Sequence, residues 1–148
     1  MSGRATRFIL RLLDRLAALL LRPPASAPHQ MTGARGEEEA YFYLRRLGYV
    51  MVARNWRSPR RRGEIDLIGW DGDVLCFVEV KSRTTHDVKP AEAAVDAQKQ
   101  DELSAMAREY LRHVAGGPAW RFDVLSIYFD QPGASPQITL FKNAFSLS

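Results

Sequence analysis

A single mixed α/β domain is the fold class this sequence predicts, and three observations carry the prediction. The chain has 148 residues, 46% of them apolar, which supplies one ordinary core but not two. Two segments repeat apolar residues at helical spacing, and five are short β-branched or aromatic runs. Glycine- and proline-bearing turns separate them in the order helix, three strands, helix, two strands. A further amphipathic helix precedes this pattern.

That first helix is Phe8–Leu21, FILRLLDRLAALLL, with Arg11, Asp14 and Arg15 on one side. It is too short and too charged to span a bilayer, which takes about 20 apolar residues. Its apolar stretch Leu16–Leu21 also falls below the usual ~7–15 residues of a secretory signal. A basic amphipathic helix of this kind suits a membrane surface or a protein partner, through residues 4–22. Packing on its own domain is the plainer alternative, as is translation beginning at Met31. Pro23, Pro24 and Pro28 read as a linker, so residues 1–31 form a leading segment and 32–148 the domain.

Within the domain, Ala40, Leu44 and Leu47 give Gly36–Leu47 a helical stripe, and Gly48 ends it. Tyr49–Trp56 reads as a strand and Ser58–Gly63 as a loop. Glu64–Trp70 and Val74–Ser82 form a hairpin about Asp71-Gly72. Glu92–Val114 is helical, with Val95, Leu103, Met106, Ala107, Tyr110 and Val114 on one face and Asp96 capping a break. Trp120–Phe129 and Gln137–Phe141 complete the strands.

Charge and cysteine usage narrow the function. One cysteine, Cys76, excludes a disulfide framework or a cysteine zinc finger, and the default compartment is cytoplasmic. His29, His86 and His113 lack metal-ligand spacing. The formal excess of +4 lies wholly in residues 1–30, while residues 31–148 balance 16 basic against 16 acidic side chains. Locally, Ala40–Gly63 holds seven arginines and no acid, a block suited to a phosphate backbone when acids stand beside it.

Those acids follow at once. Period-two alternation puts Glu64 and Asp66 on one strand face, opposite Ile65 and Leu67, and places Glu79 and Lys81 together on the next strand. A two-residue turn at Asp71-Gly72 pairs Glu64 with Glu79 and leaves Asp66 diagonal. Opposed carboxylates repel, and a cation between them relieves the repulsion. On the Gly36–Leu47 helix, Glu37 shares the stripe of Ala40 and Leu44. Carboxylates from separate elements, completed by water, suit Mg²⁺ or Mn²⁺, with Asp66, Glu79 and Glu64 as ligands. Lys81 can stabilise charge developing on a phosphate or orient water. The alternative is a hairpin of ion pairs, Glu79 with Lys81 or with an arginine of 60–62. Acids embedded in the apolar runs GEIDLI and CFVEVK favour the metal site. Arg60, Arg61, Arg62, Gln98 and Lys99 are the candidate nucleic-acid contacts, against solvated-loop and snorkelling readings. Trp56, Trp70 and Trp120 fit core packing better than base stacking.

The motifs Gly36-Glu37, Leu47-Gly48-Tyr49, Asn55-Trp56-Arg57, Gly63-Glu64-Ile65-Asp66-Leu67-Ile68, Phe77-Val78-Glu79-Val80-Lys81, Arg121-Phe122-Asp123-Val124 and Asn143-Ala144-Phe145 resemble the YraN-like uncharacterised bacterial family over residues 32–148. That family is similar to the restriction-endonuclease-like PD-(D/E)XK nucleases, archaeal Holliday-junction resolvases among them. Ile65 stands where the superfamily's name has proline. The resemblance implies a restriction-endonuclease-like mixed sheet flanked by helices, with Asp66, Glu79 and Lys81 as the active-site triple and Glu37 as the helix-borne acid. The expected activity is Mg²⁺-dependent hydrolysis of phosphodiester bonds in DNA, branched DNA included. Its alternatives are a non-catalytic nucleic-acid-binding module on the same fold and a tethered protein that works through its N-terminus. Nucleic acid, a second copy of the chain and a membrane surface or protein are the partners to consider.

Overall fold

The computed structural model describes residues 28–84 and 95–146; the expected helix at Phe8–Leu21 and the residues before Pro28 lie outside them. The chain divides into two compact units, Met1–Gln30 and Met31–Ser148, and the second carries the sheet. Helix α1 spans Pro28–Arg46. Its start corrects the linker reading of Pro28: proline suits the first helical position, where its missing N–H would have no acceptor. At the other end Gly48 has φ +98°. Gly48 N–H donates to Arg45 O and Tyr49 N–H to Leu44 O, at 3.1 and 3.0 Å, the paired closure that a left-handed glycine permits. Leu47 is thereby turned outward and is exposed, not part of the buried stripe.

The strands are β1 (Val50–Trp56), β2 (Ile65–Asp71), β3 (Val74–Arg83), β4 (Trp120–Tyr128) and β5 (Gln137–Phe145), with helix α2 (Ala97–Leu111) between β3 and β4. They form one sheet in the order β1-β2-β3-β4-β5. β3 and β4 run parallel and the other neighbours antiparallel, as expected when a helix supplies the crossover. Asp96 caps α2 by accepting Lys99 N–H at 2.9 Å, in the capping role expected of it. Residues 92–94 lie outside the described residues, and α2 ends at Leu111 rather than Val114. No helix among the described residues is long and apolar enough to cross a membrane.

Two apolar clusters face the two helices. Ala40 and Leu44 of α1 pack with Leu67, Cys76, Val78, Leu125 and Ile127. Leu103, Met106 and Ala107 of α2 pack with Ile65, Ile68, Leu75, Phe77, Phe122 and Val124. All three tryptophans border the second cluster, as packing required.

The β2–β3 register differs from the expected one. Asp71 pairs with Val74 and Leu67 with Val78, so Gly72-Asp73 form the turn. Gly72 has φ +59° and Asp73 no positive φ, the type II′ pattern that takes glycine first. The two-residue slip preserves side-chain parity, but it brings Asp66, not Glu64, level with Glu79. Ile65 and Leu67 lie in different clusters, so the alternation expected through Asp66 breaks there.

Gly36 is where α1 meets β3. A β-carbon built on it would collide with the Ser82 hydroxyl and lie 2.9 Å from Ser82 Cβ. Gly→Ala in an open helix gains about 1 kcal/mol. Here Gly36→Ala should instead cost about 1–3 kcal/mol in urea unfolding, because the helix must lift from the strand. Adding Ser82→Gly should recover part of that loss, and no recovery would place the strain elsewhere.

Candidate functional site

The β2–β3 ladder stops at Leu67–Val78. Beyond it, Val80 N–H donates to Asp66 Oδ2 at 2.7 Å. A side chain thus replaces the main-chain acceptor and the two central strands part around it. Asp66 is 8% exposed and Glu79 6%, on otherwise apolar strands. Burial first, then the charge of Glu79, pushes the Asp66 carboxyl up to about 8, while the Val80 hydrogen bond pulls the other way and Glu37 adds to the rise. This is the signature of carboxylates crowded in a dry place.

Glu37 arrives from α1 and Glu64 from the end of the loop. One oxygen of each and one of Asp66 lie within 4.8 Å of one another. Asn55 Nδ2 donates to Glu37 Oε2 at 2.8 Å. Arg57 donates to Glu64 Oε2 through Nε at 3.0 Å and Nη2 at 2.8 Å. Each partner engages Oε2. Glu79 stands beside this trio rather than within it. Its Oε1 is 3.1 Å from Lys81 Nζ and 3.7 Å from Lys99 Nζ, and its Oε2 is buried with no hydrogen-bond partner. The ion-pair alternative is therefore realised for Lys81, and Lys99 joins it from the first turn of α2.

The remaining candidates have other partners or stand exposed. Gln98 bonds Glu102 at 3.4 Å on its own helix. Arg61 faces Glu109 at 3.7 Å. Arg60 and Arg62 are exposed in the loop. Asn55 and Arg57 were not singled out as site residues. The available signal is an asparagine near the end of a strand, a residue that tolerates positive φ better than most; Asn55 has φ +47°.

Hard oxygen donors from three elements, with an orphaned buried carboxylate oxygen alongside, are the donor type that Mg²⁺ and Mn²⁺ take. Fold and site together define an α/β domain with an acid–lysine cluster where two central strands part.

The chain belongs to the uncharacterised protein family UPF0102, whose profile matches residues 36–127, the membership that the YraN-like resemblance implied. It is 50% identical over 143 residues to a UPF0102 protein of Koribacter versatilis, covering 97% of this chain and 96% of the relative. That match is longer than Met31–Ser148, so the likeness reaches into the leading segment. A UPF0102 protein of Solibacter usitatus is 46% identical over 114 residues, 76% of this chain and 84% of its own. One from Pelotomaculum thermopropionicum is 38% identical over 117 residues, 78% and 96%.

Proposed function

We propose that this chain is a divalent-cation-dependent nuclease that hydrolyses phosphodiester bonds of DNA, branched DNA included. The observation that carries the reading is the convergence of Glu37, Glu64 and Asp66 beside a Glu79–Lys81 pair. Carboxylates crowded to this degree repel in the absence of a cation. Glu37, Glu64 and Asp66 would hold the ion, with Glu79 Oε2 the further oxygen at hand. When bound, Mg²⁺ would polarise a phosphoryl oxygen and acidify a coordinated water.

The chain's own groups supply the rest. Lys81, held on Glu79, keeps an ammonium at the cluster, where it can neutralise charge gathering on a non-bridging phosphate oxygen. Lys99 adds a second cation at the same Glu79 oxygen. Asn55 and Arg57 hold the Glu37 and Glu64 carboxylates, so the ligands are positioned before any ion arrives. The base-side specificity is left to shape, since the arginines of the loop suit the sugar-phosphate backbone.

The test is a cleavage assay with Mg²⁺ or Mn²⁺ over duplex, single-stranded, flap and four-way-junction DNA. Wild-type protein should cut at least one of them and stop on chelation. Lys81→Met should abolish cutting while a Mn²⁺-induced rise in melting temperature persists, because the lysine is no ligand. Cutting that survives Asp66→Asn would overturn the reading. Tight binding with no cutting of any substrate would leave the non-catalytic module in its place.

A further inference from the structure

A cavity of about 280 Å³ opens between the arginine loop and the last turns of α2, lined by Arg60, Arg61, Ala105, Arg108, Glu109 and Arg112. Four guanidinium groups meet one carboxylate there. Residues 31–148 balance their charges overall, so this excess is local and deliberate in position. Two of the arginines have an ordinary reason to be present: cations near a helix C-terminus complement its dipole, and Arg112 is the C-cap of α2. Arg60 and Arg61 have no such reason, coming from a separate loop to the same hollow.

The loop is fastened in that position. Ser58, itself buried, donates through Oγ to Glu109 Oε2 at 2.7 Å and accepts Arg60 N–H at 3.0 Å. Glu109 is thus committed to Ser58 and, at 3.7 Å, to Arg61 Nε; it anchors the loop more than it neutralises the hollow. Guanidinium groups held in place present paired donors that match the oxygens of a phosphate. Arg61 is also three residues from Glu64, so their α-carbons are within about 11 Å.

We propose that this cavity seats a phosphate of the nucleic-acid strand, flanking the bond presented to the acids. The proposal rests on the nucleic-acid reading above and adds Arg108 and Arg112 to the loop arginines as one phosphate-binding group. An internal phosphodiester and a terminal 5′-phosphate share this chemistry.

The test measures anisotropy of a labelled 20-nucleotide DNA, single-stranded and duplex, with and without a 5′-phosphate, over a salt series without divalent ions. Arg60→Ala/Arg61→Ala and Arg108→Ala/Arg112→Ala should each weaken binding about tenfold at moderate salt and flatten the slope of log K against log salt by up to about two. The loop pair reports even if the helix pair fails to fold. Lys142→Ala on β5, a cation outside both the arginine block and the cavity, should leave the slope unchanged. A loss confined to 5′-phosphorylated DNA assigns the seat to a strand end, and an equal loss in all probes to an internal phosphate. Wild-type slopes in both double variants would overturn the proposal and leave the nuclease reading intact. Failure of the wild type to bind any probe overturns it as well. The cleavage assay with Asp66→Asn judges the nuclease reading separately.

Discussion

Asp66→Asn should make the metal-free protein more stable at pH 8 than the wild type, and should erase the wild type's stabilisation by Mn²⁺. The Asp66 carboxyl sits well above its ordinary range, near 8, chiefly because burial disfavours its charge. The folded protein therefore binds this proton more tightly than the unfolded chain does. The stability that proton confers is complete below about pH 4 and is lost as pH rises towards about 8, by up to about 1.4 kcal/mol per unit. Asparagine is uncharged throughout and its amide oxygen can still accept the Val80 N–H, so the variant's stability should be flat across that window. Glu79→Gln should shift the wild-type window downward, since the Glu79 charge is the second cause of the rise. Mn²⁺ binding competes with the proton, so ion-induced stabilisation of the wild type should grow with pH. Melting curves at pH 5 and 8, with and without Mn²⁺, check all of this. A wild type indifferent to both pH and Mn²⁺ would remove the basis for a metal site.

The second large effect lies at the other end of the sheet. Asp123 is fully buried on β4 and receives Arg121 Nε at 2.9 and 3.1 Å and the Asn143 N–H at 2.8 Å. The same guanidinium donates from Nη2 to Asp71 Oδ2 at 2.7 Å and to Tyr49 Oη at 3.0 Å. One arginine therefore ties β2, β4 and the turn after α1 together. Arg121→Met should cost about 3–5 kcal/mol in urea unfolding, because it strands the Asp123 charge in the core. Adding Asp123→Leu should return part of the loss. The hydrogen bonds of Arg121 and Lys142 hold the Asp71 carboxyl low, near pH 2. Its contribution is present above about pH 4 and lost as pH falls through about 2; Arg121→Met should blunt that acid limb. A variant as stable as the wild type would show that the network contributes nothing.

The sequence made the faces legible but not the partners across them. Parity alone put Asp66, Glu79 and Lys81 together, and parity survives a two-residue slip of the hairpin; the identity of the residue opposite Glu79 does not. That depended on whether Asp71 closes the ladder or begins the turn, a choice between two short loops that composition does not settle. The break in alternation at Asp66 was hidden for a related reason. It arises because a carboxylate accepts a main-chain N–H, and a bond between strands leaves no periodic trace. β5 was read short for the same cause: Asn143 has φ +53° and gives its N–H to Asp123, so the strand resumes past a polar kink to Phe145. The helical stripes are legible because they depend on local spacing, as Ala40, Leu44, Leu103, Met106 and Ala107 show. Leu47 is lost where the chain turns over Gly48, and Val95 and Val114 flank α2 rather than belong to it. The spacing puts Lys99 on the inner stripe of α2 and Asp96 at a cap, but the lysine's reach to Glu79 depends on how α2 lies on β3, which local spacing does not record.

The kink at Asn55 that delivers an amide to Glu37 has a further consequence. β1 is an edge of the sheet, and Val50 and Val52 stand exposed on it. A flat apolar edge of about six or seven residues is enough to template another chain in cross-β fashion. Here the register shifts between Met51 and Ala53, and the left-handed Asn55 bends the strand again before Trp56. Neither remaining stretch is long enough to recruit a neighbour. The same distortion that brings an amide to the Glu37 carboxylate thus also makes this edge a poor template for a neighbouring strand.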